Sequence, residues 1–244
     1  MENTTKEIFY INNEYNNIRS LLHQYIIETS IDNCERDTNT SIEKEAILVG
    51  GAPGAGKSKI VKDIIGTNKY VIIDADEIKS FLPEYTSALI YNKKSIAADL
   101  VHEESSDIAN STIYASIDES SSFLFDGTMK NTKKYSKLIS SLKEMNYTVN
   151  LVVVDVDVDV ALDRVKYRYN EPMGRFVPKE IVVSSNYLVA KSFLELVDQV
   201  DNFIVYSNSI NGVPPKEIAA CNESDIFISD QIAYDEFIEK SKNV

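Results

Sequence analysis

A glycine-rich loop between an apolar run and a helix-like segment constrains this chain most. Residues 46–49 (Ala-Ile-Leu-Val) have the length of a buried strand, and residues 51–58 follow as Gly-Ala-Pro-Gly-Ala-Gly-Lys-Ser. This string fits the phosphate-loop pattern G-x-x-x-x-G-K-S, in which backbone N–H groups and a helix N-terminus surround a phosphate. A chance match is the alternative, and it is rare in this strand–loop–helix context. We expect a nucleotide triphosphate to bind Gly51, Ala52, Pro53, Gly54, Ala55, Gly56 and Lys57, and Mg²⁺ to bind the Ser58 hydroxyl.

The rest of the chain alternates strand-like and helix-like runs. Four more apolar runs of strand length occupy residues 70–73, 123–125, 149–154 and 203–206. Helical patterns separate them, as over residues 57–65 and 179–197, and another covers residues 231–238. Apolar strands joined by helices are typical of a parallel sheet that is covered on both faces. We therefore expect an α/β fold with a parallel sheet of about five strands, helices on both faces and an added C-terminal helix.

The N-terminal region has a different pattern. Apolar residues at positions 8, 11, 15, 18, 22 and 25 are spaced by three and four, which predicts one long amphipathic helix. Residues 29–41 are polar and rich in turn formers, so they are expected to be a surface linker. The predicted division is an N-terminal helix and linker over residues 1–41 and a nucleotide-binding domain over residues 42–244.

Carboxylates follow the second and third predicted strands. Asp74-Ala75-Asp76-Glu77 follows the second, where a carboxylate such as Asp76 can accept the proton of an attacking hydroxyl or hold a metal-bound water. Helix capping by Asp76 is the structural alternative. Asp126-Gly127-Thr128 follows the third strand, as acids do in Walker B segments. Its alternative is an Asx turn in which the glycine has a positive φ.

Arginines are concentrated in one stretch. After Arg36, the only arginines of the sequence are Arg164, Arg168 and Arg175. Guanidinium groups match phosphoryl oxygens, and the glycine-containing segment around them can close over a nucleotide as a lid. A solvated helix face is the alternative. The sequence has no N-K-x-D guanine motif and no S-G-G-Q transporter motif, so the combination of loop, acid and arginines indicates a small P-loop kinase.

Composition limits the partners and the compartment. The 244 residues have a formal net charge of −13, and the acidic excess lies in residues 1–45 and 195–244. Such a chain is a poor candidate for binding nucleic acid. Two cysteines are too few for a disulfide framework, and we find neither a signal peptide nor a membrane-length apolar run. We therefore expect a cytoplasmic protein that does not enter a membrane.

Together these motifs resemble the zeta toxin family, kinases of bacterial toxin–antitoxin systems. The resemblance extends from about Ala46 to Ser207. It rests on residues 50–58, 73–78, 82–85, 101–104, 125–128 and 174–178. It implies transfer of the γ-phosphoryl group of ATP to the 3′-hydroxyl of the amino sugar in UDP-N-acetylglucosamine, with Mg²⁺ as cofactor and an antitoxin as partner.

The resemblance also implies roles for residues on the loop and at the strand ends. Lys57 and Ser58 would hold ATP and Mg²⁺, and Asp76 would face the sugar hydroxyl. Asp126 and Thr128 would hold the substrate in place. Some family members have Glu where Asp126 stands, so the carboxylate of this chain is one methylene shorter.

Further roles fall on cations and one histidine. The resemblance implies that Arg164 and Arg175 clamp the transferring phosphoryl group. The spacing between these two arginines is compressed, so Arg168, expected to contact the nucleotide, can take the place of Arg164. Lys130 stands where some members have Arg, and it and His102 are candidates for contact with the substrate. For His102, a polar helix position near the cleft is the alternative.

Other functions remain open at this stage. The acceptor can instead be a nucleoside, a dinucleotide or another small metabolite, and a nucleotide-binding interaction module without catalysis is a third reading. The N-terminal helix can regulate the nucleotide site in cis, or it can simply pack on the domain, which is the favoured interpretation.

Overall fold

A seven-stranded sheet forms the centre of the computed structural model, which describes residues 3–34, 44–66, 68–171, 174–222 and 225–243. The strands of this sheet are β3 (Glu45–Gly51), β4 (Val71–Asp74), β5 (Phe123–Asp126), β6 (Thr148–Asp155), β7 (Asn202–Ser207), β8 (Lys216–Asn222) and β9 (Asp225–Ile228). Two short strands, β1 (Tyr10–Ile11) and β2 (Glu14–Tyr15), form a separate hairpin. The order across the sheet is β4-β5-β3-β6-β7-β8-β9.

The first five strands in this order are parallel and are the five that the sequence predicts. The parallel part of the sheet thus has the expected five strands, and β8 and β9 continue the sheet in antiparallel orientation. Strand β8 begins with exposed Lys216 and Glu217, and all four residues of β9 are exposed. Neither strand therefore has the continuous apolar run that marks a buried parallel strand.

Both faces of the sheet are covered, as the apolar strands predict. Along β3, Ala46 and Leu48 point into one core cluster, and Ile47 and Val49 point into the other. This alternation follows from the period of two along a strand. The parallel strands all end at the same edge, so β3, β4 and β5 bring Gly51, Asp74 and Asp126 to one side of the molecule.

Ten α-helices surround the sheet in the part of the chain that the structure describes. They are α1 (Thr5–Phe9), α2 (Asn17–Asp32), α3 (Lys57–Ile60), α4 (Ala75–Ile78), α5 (Pro83–Ile90), α6 (Lys94–Asp118), α7 (Thr132–Glu144), α8 (Val158–Asn170), α9 (Lys179–Leu196) and α10 (Gln231–Glu239). Helix α9 confirms the helix predicted over residues 179–197, and α10 confirms the C-terminal helix. The helix predicted over residues 57–65 has an α-helical first turn and continues as a π-helix over Val61–Ile65.

The N-terminal prediction of one long helix is wrong. Helix α1 is followed by the β1–β2 hairpin, whose turn residues Asn12 and Asn13 have φ values of 56° and 66°. Asparagine tolerates this left-handed conformation, which two-residue hairpin turns require. The predicted apolar stripe is also largely exposed, since Ile18 is 83% exposed. Helix α2 extends to Asp32, and residues 35–43, with the predicted boundary near residue 42, lie outside the described residues.

A buried ionic cluster connects α2 to helices α5 and α6. Arg19 of α2 donates from Nη2 to Glu104 of α6 at 2.7 Å and to Glu84 of α5 at 2.9 Å. His23 Nε2 lies 2.6 Å from Glu104 Oε1, and Glu104 is fully buried. Burial raises the energy of the Glu104 carboxylate, but hydrogen bonds from His23 and Arg19 outweigh this cost and lower its pKa to about 2.

Candidate active site

The phosphate loop has the backbone geometry that its sequence predicts. It connects β3 to α3, and Gly54 and Gly56 have φ values of 86° and 89°. A Cβ on Gly54 would lie 2.5 Å from the Ala161 carbonyl oxygen, and one on Gly56 would lie 2.3 Å from Asn208 Nδ2. Both positions therefore require glycine for conformation and for space. The loop fits the triphosphate that the sequence predicts.

Two side chains hold successive carbonyl groups of this loop. Arg164 Nη1 donates to the Gly54 carbonyl oxygen at 3.2 Å, and Asn208 Nδ2 donates to the Ala55 carbonyl oxygen at 2.7 Å. Arg164 Nε also donates to Asn211 Oδ1 at 2.8 Å. These contacts place Arg164 against the outside of the loop, so the structure does not bring it to the place where we expect the transferring phosphoryl group.

A cleft of about 520 Å³ joins the phosphate loop to the strand-end carboxylates. Twelve predicted site residues line it: Pro53, Gly54, Gly56, Lys57, Ser58, Asp76, His102, Asp126, Thr128, Lys130, Arg168 and Arg175. Ala52 and Ala55 of the loop are buried and do not line the cleft. The structure therefore gathers most of the predicted residues around one cavity, with Arg168 in the cleft where Arg164 was expected.

Asp76 lies between two cations in this cleft. Lys79 Nζ is 2.8 Å from Asp76 Oδ1, and Arg175 Nη1 contacts the same oxygen. Burial opposes ionisation of Asp76, but the charges of Arg175 and Lys79 hold its pKa well below the usual range. The helix cap is Asp74, which accepts from the Asp76 backbone N–H at 2.8 Å. The alternative interpretation of Asp76 as a cap is thus wrong, and its side chain faces the cleft.

Asp126 ends β5 beside the phosphate-loop lysine. Its Oδ1 lies 3.8 Å from Lys57 Nζ, which also donates to the Gly51 carbonyl oxygen at 3.1 Å. Burial raises the pKa of Asp126 to about 6, although Lys57 opposes the shift. The positive φ of Gly127 that the alternative interpretation as an Asx turn requires is absent. Gly127 is instead required because a Cβ there would lie 2.2 Å from the Tyr135 hydroxyl.

The donor set suits Mg²⁺ that is shared with a nucleotide. Ser58 supplies a hydroxyl and Asp126 a carboxylate on the same cleft wall. Within the described residues, no three His, Cys, Asp or Glu side chains converge to form a metal cage. Mg²⁺ is usually bound by one or two protein oxygens together with water and substrate phosphates, so the Ser58 and Asp126 oxygens fit this mode.

The far side of the cleft contains residues that the sequence analysis missed. Lys134 and Tyr135 of α7 line it near Lys130, and Ser106 of α6 lines it one turn after His102. Burial lowers the pKa of Lys134 and also that of His102, where the charge of Lys79 adds to the effect. The sequence did contain a signal for Lys134 and Tyr135. Asn131 caps α7 soon after the motif at residues 125–128, so both residues lie at the start of that helix and close to the motif. Two lysines, Lys130 and Lys134, are thus the cationic groups on this side of the cleft.

Sheet order and phosphate loop together define a P-loop kinase-like α/β protein. The zeta toxin family model matches residues 28–211. The chain belongs to the zeta toxin family, as the sequence motifs predict. None of the helices in the described ranges has the length and apolar character needed to cross a membrane.

Two curated proteins are similar in sequence. Toxin PezT of Streptococcus pneumoniae serotype 4 is 26% identical over 170 residues, which are 64% of this chain and 65% of PezT. A calmodulin calcium-dependent NAD kinase of Arabidopsis thaliana is 25% identical over 224 residues, which are 71% of this chain and 42% of that enzyme. The chain thus spans less than two thirds of the length of either relative.

Solved structures extend the likeness of the fold. A chain in the crystal structure of AvrRxo1-ORF1:AvrRxo1-ORF2 with sulphate ions has a TM-score of 0.81 at 16% identity, covering 99% of this chain and 83% of that one. A chain from the PezAT toxin–antitoxin system of Streptococcus pneumoniae has a TM-score of 0.68 at 17% identity, covering 94% and 96%. At these identities the likeness establishes the fold.

Proposed function

We propose that this protein is a kinase that transfers the γ-phosphoryl group of ATP to a hydroxyl group of a small nucleotide-type acceptor. The observation that carries this proposal is the single cleft that joins Lys57 and Ser58 of the phosphate loop to Asp76 and Arg175. A donor-side phosphate cradle and an acceptor-side carboxylate at one cavity are the parts that phosphoryl transfer needs. Membership of the zeta toxin family supports the same activity.

Positioning and charge stabilisation account for the proposed chemistry. The acceptor hydroxyl oxygen forms a bond to the γ-phosphorus, the bond to the bridging oxygen breaks, and ADP leaves. Asp76 accepts the hydroxyl proton, while Arg175 and Arg168 stabilise charge on the transferring group. Mg²⁺ held by Ser58 and Asp126 would neutralise charge on the ATP phosphates. Lys57 holds the phosphates from the loop side.

The acceptor proposed first is UDP-N-acetylglucosamine, with its amino-sugar 3′-hydroxyl as the reacting group. Zeta toxin family membership supports this choice, and so does the cationic far side of the cleft. Lys130 and Lys134 there suit an acceptor that carries its own diphosphate, because their ammonium groups can contact phosphate oxygens, whereas a neutral sugar or nucleoside offers them no opposite charge.

A dinucleotide is the second candidate acceptor. The similarity to an NAD kinase over 71% of this chain supports it. NAD also carries a diphosphate, so the same lysines would suit it. The two candidates therefore differ in the group that reacts, an amino-sugar hydroxyl or a ribose hydroxyl.

The biological role that we propose is that of a toxin controlled by an antitoxin protein in the cytoplasm. Similarity to toxin PezT and to a chain of the PezAT system supports this role. Helix α2, in contrast, is tied to α6 through Arg19 and Glu104, which favours a structural role over regulation in cis. Nothing in the described surface leads us to propose nucleic acid as a partner.

The decisive experiment offers both acceptors to the purified protein with Mg-ATP. New phosphomonoester signals are followed by ³¹P NMR, and Lys57→Ala serves as the inactive control. Transfer to UDP-N-acetylglucosamine supports the first candidate, and transfer to NAD alone replaces it with the second. ATP binding without ADP formation in the presence of either acceptor would contradict the kinase proposal and favour an interaction module.

A further inference from the structure

Lys79 is a buried cation whose position neither the sequence motifs nor the family resemblance assigns. It begins a short 3-10 turn (Lys79–Phe81) one helical turn after Asp76. Its side chain is 6% exposed and lines the cleft, and Nζ lies 2.8 Å from Asp76 Oδ1. A buried ammonium group without a partner is costly, so the contact with Asp76 compensates for the burial of this lysine.

We propose that Lys79 is a positioning residue for phosphoryl transfer and holds the Asp76 carboxylate so that Oδ2 faces the acceptor hydroxyl. This inference rests on the proposed kinase function. The contacts of Lys79 and Arg175 with Asp76 both fall on Oδ1. With Oδ1 held by two cations, Oδ2 is the oxygen that a hydroxyl can approach.

Lys79 and Arg175 reach Asp76 from different parts of the chain. Lys79 follows Asp76 by three residues on the same helical segment, so the pair is set by local geometry. Arg175 belongs to the segment between α8 and α9 and is also assigned to the phosphoryl group. A lysine that stays on Oδ1 keeps the carboxylate oriented whichever of its two partners Arg175 contacts.

The weak basicity of the Asp76 carboxylate does not argue against its role in contacting the acceptor hydroxyl. Asp74, Lys79, Tyr85, His102, Asp126 and Arg175 are the charged or titratable groups that face Asp76. In phosphoryl transfer with a loose transition state, the hydroxyl needs little deprotonation before attack. Orientation of the hydroxyl then matters more than proton affinity, and misplacement by about 1 Å can reduce the rate about 100-fold.

Steady-state kinetics of matched variants test the role of Lys79. Lys79→Met removes the charge at nearly the same length, Lys79→Arg keeps it, and Lys137→Met changes an exposed lysine on α7 in the same way. We expect Lys79→Met to lower kcat about 10- to 100-fold, with the Kd for ATP changed less than twofold. Lys79→Arg should recover most of this loss, and Lys137→Met should match the wild-type protein.

A double-mutant cycle separates positioning from general stability. In an Asp76→Asn background, Lys79→Met should cause no further loss, since the carboxylate that it orients is gone. Thermal unfolding of each variant checks the fold, and Lys79→Gln replaces Lys79→Met if the latter does not fold.

Three outcomes overturn the inference about Lys79 while the wild-type protein remains active. The first is a kcat of Lys79→Met within threefold of the wild-type value. The second is a further loss of kcat on adding Lys79→Met to Asp76→Asn that is as large as the loss Lys79→Met causes alone. The third is a loss of ATP affinity in Lys79→Met as large as its loss of kcat. A wild-type protein that turns over ATP with neither acceptor would instead overturn the proposed function, together with the role of Lys79 that rests on it.

Discussion

Asn208 shows how a residue far along the chain shapes the phosphate loop. It follows β7, is buried, and donates to the Ala55 carbonyl oxygen at 2.7 Å, across 153 residues of sequence. Arg164 holds the neighbouring Gly54 carbonyl oxygen. With these two carbonyl oxygens bound from outside, the loop N–H groups are left to face the phosphate. Both side chains therefore act on ATP through the loop backbone.

Replacing Asn208 should weaken ATP binding without unfolding the protein. One hydrogen bond contributes about 1 kcal/mol, so we expect Asn208→Ala to raise the Kd for ATP about 5- to 10-fold. Isothermal titration calorimetry measures this change, and Asn17→Ala at an exposed helix position is the control. An unchanged Kd in a folded Asn208→Ala variant would show that the loop keeps its shape without this contact.

Substitution of Asp76 should separate chemistry from nucleotide binding. Asp76→Asn removes the proposed proton acceptor but leaves the phosphate loop intact, so we expect a large loss of kcat, to a residual rate that can still be measured, with a nearly normal Kd for ATP. Lys57→Ala should weaken ATP binding, because it removes a cation from the phosphates. A comparable loss of ATP affinity in both variants would contradict the role that we assign to Asp76.

Short sequence motifs predicted the phosphate loop and the acidic residues at the strand ends, because neighbouring residues determine the conformation at both places. Lys79 was also within reach of sequence reasoning, since a residue three positions after Asp76 lies on the same face of a helix. Asn208 was not, because its role depends on a partner that is distant in sequence and on the packing of β7 beside β6. The contact of Arg164 with the outside of the loop could not be derived from arginine spacing for the same reason.

At the scale of elements, the N-terminal helices brace the wall of the cleft. Arg19 of α2 joins Glu84 of α5 and Glu104 of α6, and α6 also carries His102 and faces the acceptor side. Removing one partner of a buried ion pair leaves a buried charge uncompensated. Deletion of residues 1–41 should therefore lower stability as well as remove any regulation in cis.

Arg19→Met should strongly destabilise the protein. Loss of one partner from a buried pair costs about 3 to 5 kcal/mol, and urea unfolding at pH 7 measures the change in the free energy of unfolding. The double variant Arg19→Met/Glu104→Met should recover much of the loss, because two apolar side chains replace the pair. A double variant that is less stable than Arg19→Met would contradict this account.

The ionic cluster around Glu104 makes the free energy of unfolding depend on pH in a predictable direction. The pKa of Glu104 is lowered to about 2 in the folded protein, below its ordinary value. Its contribution to stability is therefore present above the ordinary carboxyl pKa and is lost as the pH falls toward 2. We expect the free energy of unfolding to decrease more between pH 5 and pH 3 in the wild-type protein than in Glu104→Gln.

Elements with a clear apolar pattern could be predicted from the sequence. Elements that depend on a tight turn or on pairing with another strand could not. Each of the five parallel strands contains a run of at least three apolar residues, which identifies it in the sequence. The β1–β2 hairpin interrupts a run with helical spacing, because Asn12 and Asn13 form a turn that outweighs the periodicity. Strand β9 is held by pairing with β8 while its side chains stay exposed, so its sequence lacks a burial signal.

At the scale of the whole molecule, charge is divided between surface and cleft. The net charge is −13, yet seven cations line the cleft against three carboxylates, Asp74, Asp76 and Asp126. The cations are Lys57, Lys59, Lys79, Lys130, Lys134, Arg168 and Arg175. A cleft with an excess of one sign of charge concentrates ligands of the opposite sign. The overall acidity therefore reveals little about the field that a triphosphate meets at the site.

ATP binding should weaken as salt screens this field. We expect the Kd for ATP to rise about 3- to 10-fold between 50 and 500 mM NaCl, since the Debye length falls to about 4 Å and screens all but the nearest charges. The Kd for adenosine, which carries no phosphate, is the control and should change little. Equal salt dependence for both ligands would contradict an electrostatic contribution from the cleft.

The Asn208 contact also has a consequence for the synthesis of the protein. The loop is encoded early, at residues 51–58, whereas the side chain that shapes it emerges from the ribosome about 150 residues later. A chain still being translated can form β3 and the loop sequence, but its nucleotide pocket remains incomplete until β7 has paired beside β6. A nascent chain that lacks Asn208 should therefore bind ATP more weakly than the folded protein does, so the nucleotide site reaches its full affinity only after the residues up to the end of β7 have been made.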